Sequence, residues 1–167
     1  MCYCVHRIFM NLEEIKMQLY RGKSIEEILE KLDWKEFEKT VAEIFRENGF
    51  LVRENFRFKT DKGYEIDLVA TRGNTVICAD CKQWCRGRYK KSGIKQAALQ
   101  QEKRVEEFKR FVEKSLIAKK SLKLKEGASF YSLVITLFEE EVTKEGETLV
   151  IPVWKLNNFL LMLEEYV

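Results

Sequence analysis

Asp67, Asp80 and Lys82 are the residues of this chain whose types and spacing point to chemistry. Residues 64–71 and 75–82 read as two strands joined by the turn Arg72-Gly73-Asn74. The gap is too short for a crossover helix, so the pair is a hairpin. Strand alternation puts Asp80 and Lys82 on one face and sends Ile77, Ala79 and Cys81 to the other, into a core. Asp67 interrupts an apolar stretch between Ile66 and Leu68, near the same edge of the sheet. Charges in such places are costly unless paired or bound to a metal. Two carboxylates and an ammonium that converge either satisfy one another, as ordinary salt bridges on a hairpin do, or hold a divalent cation. Magnesium takes oxygen ligands and keeps several waters. Asp67, Asp80 and the carbonyl of Cys81 could supply three of its ligands. Such an ion lowers the pKa of a bound water and polarises a phosphate. Lys82, beside them, would orient the nucleophile or stabilise charge on the phosphate oxygens; both roles stay open.

These residues need elements to position them. Residues 12–32 read as one or two short helices: Leu12, Ile15 and Leu19 recur at helical spacing, then Ile25, Ile28, Leu29 and Leu32, with Gly22 between the sets. Ser24 and Glu27 have the spacing of a capping box. The next helix has Asp33 as N-cap, Glu36 at N3, an apolar face of Phe37, Val41, Ile44 and Phe45, and a stop at Asn48-Gly49. On that helix Glu38 borders the apolar face and can reach back over the sheet. Glu43 points nearly opposite, towards solvent. Residues 50–58 alternate as a strand. A long helix, capped by Ser92, runs to about Ser115; Ile94, Ala97, Ala98, Val105, Phe108 and Val112 form one face of it. Gln101 falls on that face, an odd place for an amide without a partner. Residues 129–138 and 148–153 read as strands around a turn at Gly146, and a closing helix covers about 155–165. Hairpins and a helical crossover coexist, so the sheet should be mixed, in an α/β or α+β domain.

With these residues on the page, the chain resembles the PD-(D/E)xK nuclease superfamily, most closely its Mrr-like restriction endonucleases and related archaeal nuclease-like proteins. Four pieces carry the resemblance: Phe37-Glu38 with Val41-Ala42 and Asn48-Gly49-Phe50; Gly63-Tyr64-Glu65-Ile66-Asp67-Leu68-Val69; Asp80-Cys81-Lys82-Gln83-Trp84; and the helix from Ser92. The resemblance covers roughly residues 33–160. It implies an α/β restriction-endonuclease core, a central mixed sheet flanked by helices, and the nuclease domain is read as residues 33–167; residues 1–32, which the resemblance does not reach, read from their pattern as a helical N-terminal extension. It implies hydrolysis of DNA phosphodiesters with magnesium or manganese, with Asp67 as the metal-binding aspartate and Asp80 and Lys82 in the acidic and lysine positions. Glu38 belongs to the family's first helix. The family often places a glutamine on the helix after the lysine, and Gln96 and Gln101 are the candidates. Asp80 stands where many relatives carry glutamate; both ligate magnesium. The expected activity is an endonuclease on double-stranded DNA. The alternatives are a junction-resolving or repair nuclease on the same core, a non-catalytic DNA-binding protein that keeps the fold, and a docking subunit.

Charge agrees with a phosphate-backbone partner. From Lys82 to Lys125 there are fifteen Lys/Arg and four Asp/Glu, a local +11, so the rest carries −8 of the net +3. Trp84, Arg86, Arg88, Tyr89, Lys90 and Lys91 follow the Asp80-Lys82 strand as a basic loop, with Lys95 a turn further on. They read as a phosphate clamp at the mouth of the site. Trp34 and Trp154 start helices and read as packing residues. The cysteines do not make a zinc site, since Cys78 and Cys81 point to opposite faces and Cys85, Cys2 and Cys4 are scattered. A cysteine nucleophile would want a histidine nearby, and His6, at the N-terminus, is the only one in the chain. With neither an apolar run of spanning length nor a signal-peptide pattern, the reading is a cytoplasmic protein with no membrane partner. The apolar stripe of residues 12–32 must be covered, within the chain or by a partner, and paired cuts are simplest for a two-fold assembly. A homodimer is therefore expected.

Overall fold

In the computed structural model, which describes residues 12–83 and 90–163, three helices come first: α1 (Leu12–Tyr20), α2 (Ile25–Leu29) and α3 (Trp34–Glu47). Both capping boxes form. The Ser24 hydroxyl accepts the Glu27 N–H, and the Asp33 carboxylate accepts the Glu36 N–H at 2.9 Å while Glu36 accepts the Asp33 N–H at 2.8 Å. Gly49 takes the left-handed conformation (φ +78°) that ends α3. Ile15, Ile28, Leu29 and Leu32 are buried within the chain; Leu19, of the same stripe, stays 41% exposed. Leu29 and Leu32 join the core beneath α3.

Strands β1 (Leu51–Lys59), β2 (Gly63–Arg72) and β3 (Thr75–Lys82) form an antiparallel meander. Helices α4 (Lys90–Lys114) and α5 (Leu116–Ser121) then cross to β4 (Ser129–Thr136). A two-residue β5 (Lys144–Glu145), β6 (Thr148–Pro152) and α6 (Val153–Leu161) complete the chain. The sheet order is β1-β2-β3-β4-β6-β5, with β3, β4 and β6 parallel. The mixed sheet is thus the one the sequence predicts. One helical boundary differs. Lys90 and Lys91 are already helical, so Ser92 lies inside the first turn of α4 and is not its N-cap. At the other end Ser115 breaks the helix and caps α5, its hydroxyl accepting the Ala118 N–H.

Helices cover both faces. On one, Phe37, Val41 and Phe45 of α3 and Leu156 and Leu160 of α6 pack on Leu68, Ala70, Ile77, Ala79, Cys81, Leu133 and Ile135. On the other, Val105, Phe108 and Val112 of α4 pack on Ile66, Val69, Val76 and Cys78. Strand β3 therefore alternates as expected: 77, 79 and 81 face α3, while 76 and 78 face α4. The β1–β2 pair does not alternate throughout. Val52, Leu68 and Ala70 belong with the α3 face, yet Phe56, Phe58, Ile66 and Tyr64 belong with the α4 face. All of these positions are even-numbered, so the ribbon changes faces between them. The change falls at Asn55, in the left-handed region (φ +50°), and Asp67; this pair is missing from an otherwise unbroken register.

Candidate active site

Asp67 stands where the ladder between β2 and β3 stops. Pairing ends at Leu68 opposite Ala79, and beyond it the Asp67 Oδ2 accepts the Cys81 N–H at 2.9 Å. The side chain takes the place that the backbone of a continued β2 would have filled. Asp80, on the α4 side of β3, is only 3% exposed. Its Oδ1 lies 2.8 Å from Nη1 of Arg104 and its Oδ2 2.8 Å from Nζ of Lys82. The lysine makes an ion pair there, and Oδ2, fully buried, has no hydrogen-bond partner. Two aspartates, one lysine and one arginine are thereby gathered near the C-terminal end of β3. In open α/β sheets that is where ligands bind.

The carboxylates feel one another electrostatically, Asp67 the charge of Asp80 and Glu38 the charge of Asp67. Burial raises the Asp67 pKa, and the Asp80 charge raises it further, against the Cys81 N–H, Lys82 and Arg104. Burial also raises the Glu38 pKa, with the charge of Asp67 next, while a hydrogen bond from the Trp34 indole acts the other way. Glu38 and Asp67 line one cleft of about 420 Å³, together with Trp34, Lys35, Lys39 and Asn55. Glu38 thus shares a cleft with Asp67. Glu43 does not face solvent: it is half-buried beneath α1 and accepts the Leu12 N–H at 3.1 Å. The helical wheel of α3 alone could not show that α1 covers this side.

The glutamine candidates separate. Gln101 is fully buried; its Nε2 donates to the Cys78 carbonyl at 3.1 Å and its Oε1 accepts from Arg104 at 3.1 Å. The odd amide has its partners. Gln96 is exposed on α4. Of the basic clamp, Trp84, Arg86 and Arg88 lie outside the described residues, as does the side chain of Lys90. Lys91 and Lys95 are exposed and pair with Glu141 (3.2 Å) and Glu145 (3.1 Å). Trp34 and Trp154 are partly exposed at helix starts and pack there, Trp34 against Phe37 (6.4 Å between ring centres) and Trp154 beneath the Lys155 ammonium (4.7 Å).

Cys78 and Cys81 do face opposite ways, into the α4 and α3 cores. Burial pushes both thiols up, and the neighbouring carboxylates push Cys81 further, which keeps them protonated and poor ligands or nucleophiles. Cys2, Cys4, Cys85 and His6 lie outside the described residues. Among the described residues no three His, Cys, Asp or Glu side chains gather to hold a metal by themselves. The buried Oδ2 of Asp80, without a hydrogen bond, is a donor that fits an ion bound by one or two carboxylates plus water and substrate phosphate. Sequence reasoning missed Arg104. The signal was there: Arg104 is three residues from Gln101, a neighbour on the helix.

A mixed sheet layered between helices, with acidic and basic groups gathered at the end of its third strand, defines the class as an α/β domain with a charged cluster at a strand end. The Mrr_cat family model, whose description is restriction endonuclease, matches residues 29–141, and the chain belongs to this family. An uncharacterized protein of Archaeoglobus fulgidus is 29% identical over 134 residues, covering 80% of this chain and 93% of that protein. Two solved structures are partly similar. One is of a protein of unknown function, with 17% identity over 75% of this chain and a TM-score of 0.41; this chain spans 63% of its length. The other is the small subunit of a heterodimeric restriction endonuclease, with 15% identity, 85% of this chain, 76% of that one and a TM-score of 0.48. Among the described residues no helix is long and apolar enough to cross a membrane.

Proposed function

We propose that this chain is a magnesium-dependent endonuclease that hydrolyses phosphodiester bonds of double-stranded DNA, manganese serving in place of magnesium. The observation that carries the reading is that Asp67 accepts the Cys81 N–H, next along β3 from Asp80, while Lys82 lies 2.8 Å from Asp80. Asp67, Asp80 and the Cys81 carbonyl would hold the metal. When bound, the ion supplies a Lewis acid for the scissile phosphate and a more acidic water. Lys82 is kept beside the phosphate position by Asp80, where its ammonium orients the nucleophile or stabilises charge on the phosphate oxygens. Glu38, with its pKa raised, faces the cleft it shares with Asp67 and Trp34 and can hold a proton there. Gln101 acts from behind the strand. Gln96, Trp84, Arg86, Arg88, Lys90, Lys91 and Lys95 would meet the DNA. Such an enzyme acts in the cytoplasm, and a homodimer would place two sites for cuts in both strands.

The test offers purified protein, with magnesium or manganese, a supercoiled plasmid, a linear duplex, a single strand and a four-way junction. Cleavage of plasmid and linear duplex, lost in folded Asp67→Asn and Lys82→Ala proteins, is the expected result. A folded Lys82→Ala protein that cuts as well as the parent removes the assignment. Junction-only cleavage makes the protein a resolving nuclease, and DNA binding without any cleavage makes it a binding protein. Sedimentation of the same sample tests assembly: a sharp monomer at micromolar concentration, with and without DNA, refutes the dimer.

A further inference from the structure

Helix α4 brings to Asp80 a cation that the expected machinery does not use. Arg104 donates from Nη1 both to Asp80 Oδ1 (2.8 Å) and to Gln101 Oε1 (3.1 Å). Gln101 in turn donates from Nε2 to the Cys78 carbonyl (3.1 Å). The bonds form a closed path: it leaves β3 at Cys78, crosses to α4, and returns to β3 at Asp80, the next residue on the same face. A fully buried glutamine on an apolar helix face is costly unless both ends of its amide are used, and here both are. The Cys78 carbonyl fixes which way the amide points, and the amide oxygen then fixes the guanidinium. A planar guanidinium can serve two acceptors in one plane, which an ammonium does less well.

Charge compensation alone does not explain the arginine. Lys82 already lies 2.8 Å from the other oxygen of Asp80. The two cations divide the carboxylate: Arg104 holds Oδ1, and Oδ2 is left towards Lys82 with no hydrogen bond of its own. We propose that Arg104, locked by Gln101, is a positioning residue that pins Oδ1 of Asp80 and thereby presents Oδ2 to the metal. The inference rests on the proposed nuclease reading and names how one metal-binding carboxylate acquires its orientation.

Sign separates this role from plain electrostatics. Removing a positive charge beside a cation site should tighten the site. Removing a positioning group should loosen it, on the order of 10–100-fold for a partner that orients a ligand. Manganese binding to the full chain is measured by calorimetry for the parent protein and for Arg104→Met, Arg104→Lys and Gln101→Met, each checked for fold by circular dichroism. DNA affinity in chelator, as a function of salt, and single-turnover cleavage are measured alongside. The expected result is manganese affinity at least ~10-fold weaker in Arg104→Met, partly restored in Arg104→Lys, and an intermediate loss in Gln101→Met. Cleavage should fall in parallel, with the salt slope of DNA binding unchanged. Equal or tighter manganese binding in Arg104→Met overturns the proposal. So does a salt slope lower by about one with manganese affinity intact, which would make Arg104 a phosphate contact. If Arg104→Met does not fold, the lysine and Gln101→Met proteins decide by the same sign. A parent protein that binds manganese no better than Asp67→Asn would instead refute the metal site itself.

Discussion

Replacing Asp67 by asparagine should stabilise the protein in chelator and abolish its activity. Asn is nearly the same shape, and its amide oxygen can still accept the Cys81 N–H now taken by Oδ2. What disappears is a desolvated charge facing a second carboxylate, the two causes that raise the Asp67 pKa. Opposing them, the variant loses attraction to Lys82 and Arg104 and the extra strength of a charged hydrogen bond. The raised pKa says which side wins: the fold favours the neutral form of residue 67 over the charged one. The variant should therefore melt higher than the parent at pH 8, each kcal/mol of stability being worth ~2–4 °C in a domain of this size.

The sign with pH follows. An acid whose folded pKa lies above its unfolded value contributes stability below the unfolded pKa and loses it as pH rises through the folded one. The advantage of Asp67→Asn over the parent should therefore be small at pH 4 and grow as pH rises beyond the ordinary carboxylate range. Metal should reverse the order. A ligand at ten times its dissociation constant stabilises by about 1.4 kcal/mol, and only the parent, with both carboxylates, should gain it. Thermal melts of both proteins at several pH values, with chelator and with magnesium, test all of this. An Asp67→Asn protein less stable than the parent in chelator at pH 8, or equal magnesium stabilisation of the two, refutes the reasoning.

Replacing Arg86, Arg88, Lys90 and Lys91 by alanine should weaken binding to DNA of any sequence and lower the slope of log affinity against log salt by about 0.9 per lost phosphate contact. Fold stability should hardly change, because the Lys91–Glu141 pair is exposed on both sides; an unchanged slope in filter-binding or anisotropy titrations would leave these residues as ordinary surface. Asn55→Gly should leave stability within a few tenths of a kcal/mol, since glycine accepts a positive φ freely. Asn55→Val should cost about 1–2 kcal/mol in urea unfolding, because a β-branched residue is driven out of the left-handed region. Cleavage should fall in Asn55→Val and not in Asn55→Gly; equal activities would show that the backbone at residue 55 does not set the position of Asp67.

Local rules carried much of the architecture into the sequence. The capping boxes at Ser24 and Asp33 and the period-two pattern of β3 all depend on neighbours a few residues away, and each formed as predicted. The same alternation separated Cys78 from Cys81 and sent Asp80 to the face opposite the α3 core. What escaped were contacts between distant segments. Glu43 was assigned to solvent because a helical wheel shows one helix and not α1 lying over it. Arg104 went unnoticed because its role exists only once α4 lies on β3. Gln101 marked the place nonetheless: a lone amide on an apolar face announces an unseen polar partner. Ser92 had the right chemistry for a cap and sat two residues inside the helix. Helix ends shift easily when several polar residues compete for them.

The reversal of faces at Asn55 and Asp67 explains how a charged group can occupy the middle of an apolar strand. If β2 kept a strict alternation set by Leu68, Asp67 would share the face of Val69, against α4. If it kept the alternation set by Ile66, Asp67 would lie against α3. Either core would bury the carboxylate among apolar groups at a cost of several kcal/mol. The ribbon changes faces at this position, so the carboxylate enters neither core. The same change ends the β2–β3 ladder at Leu68, where a continued register would have set Ile66 opposite Cys81. An N–H is thereby left for the carboxylate, and the bond it makes gives Asp67 a fixed direction. One irregularity thus removes the charge from the core and aims it. The local cost is a left-handed asparagine and one missing pair, the kind of departure from regular structure that concentrates at functional sites.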